Sequence, residues 1–403
     1  MRTHSFLRRP YTPAVCLVLL VLFGFADLQA RAQIRKPSHV ILFVIDGFSY
    51  KAWDKLSVPT LRRLAREGVL VAQDYLPPPA HPKTGAYAEL HTASVANPIM
   101  MAGSIFINER TVYLQQAIAH PLTSAFVVNS TAYVTLSGGY DHVFQQDGPD
   151  EIAVANALEI MRQHRPSFVR IHLQNAGSAG FQCLSTDRNV EWRGNIWASS
   201  SPYRLATERA DSLLDVFIRG LRDAGVLDST AVIVVGDHGQ DDGGWHPLEL
   251  PDGAISSIVL WGTGINRGVQ ISYAEHIDIV PTVCMLLQIA PPATSIGRPI
   301  VEAIAGYDGP VPPRPHTIRE FNNVLSDFRH LSTELAWELE KPDAPRRGFY
   351  FYQLGLLRQS FMDLNRFVEW GEHGTLDSLL AANKKALSGV TELMNRFSEE
   401  SRR

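Results

Sequence analysis

The apolar positions of residues 38–305 switch repeatedly between two spacings. Val40-Ile41-Leu42-Phe43-Val44-Ile45 is apolar without a break, which suits a central strand covered by helices on both faces. Similar runs occupy residues 167–173, 231–235 and 257–261. Between these runs the apolar residues fall at helical spacing over Pro59 to Glu67, Glu151 to Gln163, Tyr203 to Ala224 and Ile279 to Leu287. Strands that alternate with helices predict an α/β domain over residues 38–305 with a mostly parallel central sheet, sandwiched as the middle of three layers. In such sheets ligands bind beyond the carboxyl ends of the strands, so the residues just after each run are the ones to inspect.

Gly309-Pro310-Val311-Pro312-Pro313-Arg314-Pro315 breaks the pattern. Residues 316–403 then carry apolar positions at helical spacing, from Ile318 through Phe321, Val324, Leu325 and Phe328 to Leu335, around Phe349 to Trp370, and from Leu376 to Phe397. These predict a C-terminal extension of about three amphipathic helices that pack on the core or on a second copy of the chain as a homodimer. At the other end, Arg2, Arg8 and Arg9 precede the uncharged run Ala14 to Ala26, and Ala30-Arg31-Ala32 follows. That order reads as a signal peptide over residues 1–32, with export to the periplasm or outside the cell. A helix of this length spans only about 20 Å, too short for a hydrocarbon core of about 30 Å, so no membrane span is expected after cleavage.

Composition narrows the partners more than the fold. With 37 basic and 41 acidic residues the net charge is −4, so no basic field points to nucleic acid. Once the signal has left, two cysteines remain, Cys183 and Cys284. An oxidising compartment would allow them to pair; the apolar setting of Cys284, between Val283 and Met285, favours a buried small hydrophobe.

Two of the strand ends carry the same kind of chemistry. Asp46 follows the first run in Ile45-Asp46-Gly47, and Asp237-His238-Gly239 follows Val235 after one glycine. In a parallel sheet these side chains converge on one edge. Two carboxylates and an imidazole gathered there match the ligand preferences of a divalent cation, Zn first, with Mg, Mn or Ca as alternatives.

The chain here resembles the alkaline phosphatase superfamily, which includes nucleotide pyrophosphatase/phosphodiesterases and sulfatases. The resemblance runs from about Val40 to Gly297 and rests on segments in family order. Val44-Ile45-Asp46-Gly47 is similar to the opening metal strand, and Val58 to Val69 to the helix behind it. Thr230 to Gly239 is similar to the strand ending in Asp-His-Gly, and His276-Ile277-Asp278-Ile279-Val280-Pro281-Thr282 to the closing segment. The family's Ser/Thr-x-x-Asn turn corresponds to Ser94-Val95-Ala96-Asn97. The resemblance implies Ser94 as a metal-bound nucleophile, with Thr92 as its rival, and Asn97 as a donor to a non-bridging oxygen. Sulfatases carry Cys/Ser-x-Pro-x-Arg at this turn; Ala96 and Pro98 stand here in place of Pro and Arg.

The resemblance fails at the second metal. Two-metal members carry Asp-x-x-Gly-His after the middle strand, whereas here Gln174-Asn175-Ala176-Gly177-Ser178 follows. Gln174 or Asn175 takes the place of the carboxylate, and Ser178 or Phe181 that of the imidazole. His246, eight residues after His238, could complete a weakened second site with Asn175 or Gln174, so one or two ions are expected. His172 within its strand reads as a core histidine, Asp241 and Asp242 as solvated, and Leu184 to Ser201 as a connection or part of a specificity lid. The expected activity is hydrolysis of a small-molecule or polymer-linked phosphodiester or phosphomonoester. The alternatives are a sulfate-ester hydrolase and an exported binding protein that has kept the fold.

Overall fold

The computed structural model describes residues 35–77, 87, 89–95, 113–247 and 250–402. The signal-peptide reading of residues 1–32 and the Asn97 assignment fall outside them. Among the described residues, nine strands form one sheet: β1 (His39–Ile45), β2 (Val69–Tyr75), β3 (Ser124–Val128), β4 (His142–Gln145), β5 (Phe168–Leu173), β6 (Thr230–Val235), β7 (Ile255–Gly262), β8 (Val269–Ile271) and β9 (Ala274–Glu275). The order is β4-β3-β5-β1-β6-β7-β2-β8, with β9 paired to β2. β1 runs parallel to both β5 and β6, and β7 is antiparallel to its neighbours β6 and β2. The sheet is therefore mostly parallel.

The predicted helices follow the periodicity: α1 (Pro59–Glu67), α2 (Asp150–Gln163), α4 (Pro202–Asp223) and α5 (Ile279–Leu287), with a further helix, α3 (Asn175–Ser185), directly after β5. Successive side chains of a strand face opposite sides, and β1 divides accordingly. Ile41, Phe43 and Ile45 pack with α1, α2, α3 and α4, while Val40, Leu42 and Val44 pack with α5 and with Tyr87, Leu90 and Tyr133. Cys183 and Cys284 are buried free thiols in these two separate cores, one on each side of the sheet, as the small-hydrophobe reading requires.

The C-terminal extension contains four helices: α6 (Thr317–Glu340), α7 (Arg347–Ser360), α8 (Leu364–His373) and α9 (Asp377–Ser401). The segment read as one helix around Phe349 to Trp370 is broken where Met362 takes a left-handed φ of 56°, which a continuous helix cannot accommodate. The apolar faces of these helices form a third core together with Tyr75, Val95, Ile255 and Tyr273 of the α/β domain. Among the described residues, no helix is long and apolar enough to cross a membrane.

Candidate metal centre

The centre lies where the carboxyl ends of β1, β5 and β6 meet. Parallel pairing sets Val44 beside both His172 and Val235, so Asp46, Gln174 and Asp237 emerge together just beyond the sheet. Gly236 makes the short link to Asp237 because a Cβ there would lie 2.6 Å from Ser256 Oγ and 2.9 Å from Phe48 Cβ. Gly47 takes a φ of 66°, which suits glycine, and turns its amide onto Asp237 Oδ1 at 2.9 Å. The His238 amide donates to the same oxygen at 3.1 Å. One oxygen of Asp237 is thus held by backbone, and Oδ2 is left for the pocket.

His238 is oriented in the same way. Its Nδ1 donates to the Gly239 carbonyl at 2.7 Å, a bond that leaves the Nε2 lone pair pointing away from the backbone. His238 Nε2 lies 3.5 Å from Asp46 Oδ1 and 3.7 Å from Asp237 Oδ2. Ligand atoms of the three residues all fall within 4.8 Å of one another. All three side chains are buried, and Asp237 Oδ2 and His238 Nε2 have no hydrogen-bond partner among the described residues. Two ligands at about 2.1 Å in a tetrahedral site lie roughly 3.4 Å apart, close to these separations. The residues present fit one divalent cation.

His172 proves to be part of this centre rather than an ordinary core histidine. Its Nε2 is 3.6 Å from Asp46 Oδ2, 3.9 Å from Asp237 Oδ2 and 3.1 Å from the hydroxyl of Tyr133. Burial holds its pKa below the ordinary imidazole value, against the pull of the two carboxylates. Tyr133, in a short turn of helix after β3, was not foreshadowed by any motif. Its hydroxyl also touches Asp46 Oδ2 at 3.1 Å, Tyr87 Oη at 2.7 Å and Gln174 Oε1. Burial first, and then the neighbouring Asp46 carboxylate, push its ionisation well above the ordinary phenol range, so Tyr133 is a neutral hydrogen-bonding group.

Asn175 points elsewhere. Its Oδ1 accepts from Asn129 Nδ2 at 3.1 Å, and its backbone amide donates to Asp150 Oδ1 at 3.1 Å. His246 comes close to the centre: its ring lies 4.0 Å from that of His238, centroid to centroid, and 4.1 Å from that of Trp245. Asp241, read as solvated, instead accepts the Gly244 and Trp245 amides at 2.8 Å each and so shapes the loop that presents His246. Trp197, from the Leu184 to Ser201 segment, donates to Asp242 at 2.8 Å, which ties that segment to the same loop.

Ser94, the nucleophile that the resemblance implies, is buried. Its hydroxyl is bonded to Thr92 Oγ1 at 2.8 Å. The intervening Ala93 has a φ of 53° and accepts the Ile296 amide at 2.9 Å, while Val95 packs into the C-terminal core. His276, by contrast, is held by Asp74 at 2.6 Å as a buried pair apart from the centre.

The sulfatase family model matches residues 101–289, and no curated protein matches the sequence. Among solved structures, the chain is similar to the lipoteichoic acid synthase LtaP from Listeria monocytogenes, at 16% identity and a TM-score of 0.52 over 64% of this chain and 74% of that one. It is also similar to the phosphonate monoester hydrolase of Agrobacterium radiobacter, at 14% identity and a TM-score of 0.51 over 68% and 78%. A third is BT1596, a 2-O GAG sulfatase, at 15% identity and a TM-score of 0.53 over 68% and 75%. The sulfatase family model thus covers the middle of the chain, and the chain shares the fold of these three hydrolase and synthase structures.

Proposed function

We propose that this chain is an exported, metal-dependent hydrolase of phosphate esters, either diesters or monoesters. The observation that carries the reading is the buried Asp46, Asp237 and His238 cluster, with two ligand atoms aimed into one small space and without hydrogen-bond partners among the described residues. Burying such a set without a cation would leave carboxylates desolvated and uncompensated. Zn fits two carboxylates and an imidazole best, with Mg, Mn or Ca as the other candidates. When bound, the cation withdraws charge from a phosphoryl oxygen and so favours attack at phosphorus.

The chain's own groups supply the rest. Gly47 and the His238 backbone hold Asp237, and Gly239 fixes the tautomer of His238. His246, its ring 4.0 Å from that of His238, is the residue assigned to substrate contact in this reading. Phe181 and Trp245, with ring centroids 5.2 Å apart, form an aromatic edge outward from His246. An apolar or ring-bearing leaving group would pack against that edge.

Ser94 is the nucleophile that the sequence segment suggests. In that route its Oγ bonds to phosphorus and one alcohol leaves with the serine proton; water then cleaves the seryl–phosphorus bond, releasing phosphate from a monoester or the remaining monoester from a diester. For this, the hydroxyl now bonded to Thr92 turns to phosphorus. Direct attack by water is the alternative. Ser94→Ala decides between them on bis-p-nitrophenyl phosphate. Loss of turnover with metal binding kept, together with a trapped p-nitrophenyl phosphoseryl adduct in the wild type, supports the covalent route. Full turnover in the variant removes Ser94 from the chemistry and leaves the hydrolase reading on the metal cluster alone.

Sulfate-ester hydrolysis is the second reading, favoured by the sulfatase family match. Against it stand Ala96 and Pro98 at the positions where sulfatases carry Pro and Arg. A comparison of p-nitrophenyl sulfate with the two phosphate esters separates the readings.

A further inference from the structure

Asp46 and Asp237 are both buried beside His238, and in two-metal members of the superfamily a second cation helps to compensate such carboxylates. The residues that would hold that cation do not fit it here. Gln174 replaces the carboxylate with a neutral amide, a poor ligand for Zn. Its oxygen lies against the Tyr133 hydroxyl, and its amide nitrogen reaches Ser178 Oγ at 3.4 Å. Ser178 replaces the imidazole, and the Asn175 oxygen is taken by Asn129. Only Gly177 of the segment keeps its part: a Cβ on it would lie 1.8 Å from Asp46 Oδ1.

We infer that the centre is mononuclear, and that the Tyr133 hydroxyl with the His172 imidazole does for Asp46 what a second cation does elsewhere. The inference rests on the metal-dependent reading above. Tyr133 has one proton and two lone pairs to share among four neighbours. Asp46 Oδ2 and Gln174 Oε1 are acceptors and compete for the proton, while His172 Nε2–H and the Tyr87 hydroxyl can both donate into the phenol oxygen. With its proton on Asp46 Oδ2, the Tyr133 hydroxyl serves Asp46, His172 and Tyr87 without a metal, provided that His172 carries its proton on Nε2, and Gln174 Oε1 is the acceptor that goes without. Strand geometry explains why these groups coincide. His172 and Gln174 are two apart and so share one face at the end of β5, where the segment after the adjacent β3 delivers Tyr133.

Tyr133 is thus a positioning residue. It fixes one oxygen of Asp46, and the other faces His238 Nε2 at 3.5 Å. Removing the partner that orients a ligand carboxylate typically weakens metal affinity by about 10- to 100-fold.

The test titrates the metal-stripped full chain with Zn²⁺, and separately with Mn²⁺, by calorimetry, with metal content measured after dialysis. The wild type should bind one ion per chain. Tyr133→Phe should bind one ion with affinity reduced about 10- to 100-fold, its fold checked by circular dichroism. Two ions in the wild type would overturn the inference and leave the hydrolase reading intact, and the wild-type count does so even where the variant fails to fold. Unchanged affinity in a folded Tyr133→Phe would also overturn it. No bound ion of either kind would instead contradict the metal-dependent reading itself.

Discussion

Asp237 Oδ1 accepts the backbone amide of Gly47 at 2.9 Å, across 190 residues of sequence. Through this bond the turn after β1 sets the direction of a carboxylate after β6. Asp237→Asn keeps an oxygen for the two amides but puts a neutral nitrogen where Oδ2 faces the pocket. A ligand present at 100 times its dissociation constant stabilises a fold by about 2.7 kcal/mol. The wild type should therefore melt several degrees higher when Zn²⁺ is added, and Asp237→Asn should lose most of that gain. An equal gain in the variant would remove Asp237 from the ligand set.

Gly177 is required by contact rather than by backbone angle. An added methyl would lie 1.8 Å from Asp46 Oδ1 and 2.5 Å from its carboxyl carbon. Gly177→Ala must displace either α3 or the ligand. Overpacking of this kind typically costs about 1–3 kcal/mol. A lowered melting temperature together with weaker Zn²⁺ binding is expected; calorimetry and a thermal melt measure both.

Phe181 is exposed at the end of the ring series that runs through Trp245 and His246 to His238. An aromatic contact is worth about 0.5–1.5 kcal/mol, or roughly 2- to 12-fold in affinity. Phe181→Ala should raise KM for bis-p-nitrophenyl phosphate within that range and leave kcat near the wild-type value. Steady-state kinetics on the aryl diester and on dimethyl phosphate give the comparison, with no change expected for the methyl ester.

Asp150 accepts from Asn129 and from the Asn175 amide while almost wholly buried. Burial pushes its pKa up to about 6, against those two hydrogen bonds. A raised carboxyl favours the protonated folded state, so its contribution is full below pH ~4 and is lost as pH rises towards about 6. The loss amounts to at most about 3 kcal/mol. Asp150→Asn keeps an acceptor without the charge. Its stability relative to wild type should rise between pH 4 and 6.5, as read by urea unfolding across that range.

Much of this centre was legible before the fold was known. Consecutive apolar runs marked β1, β5 and β6, and the residues directly after two of them supplied Asp46, Asp237 and His238. The rest was hidden for physical reasons. His172 lies inside an apolar strand, where a lone histidine ordinarily means a satisfied core residue; only its neighbours across the sheet give it a role. Tyr133 follows β3, a strand of five residues too short to stand out by composition. Its place became visible once the pairing of β3 with β5 set it beside Gln174. For Ser94 a sequence pattern supplied the role, and the structure adds its hydrogen bond to Thr92.

The most direct measurement is turnover of bis-p-nitrophenyl phosphate, p-nitrophenyl phosphate and p-nitrophenyl sulfate by the metal-replete chain, before and after removal of metal by a chelator. The account predicts hydrolysis of at least one phosphate ester, its loss on chelation, its return with Zn²⁺ or Mn²⁺, and little turnover of the sulfate. It also predicts no return of activity when the same ions are added to Asp237→Asn. Turnover that survives complete removal of metal, or no phosphate-ester turnover with the metal site fully loaded, would contradict it.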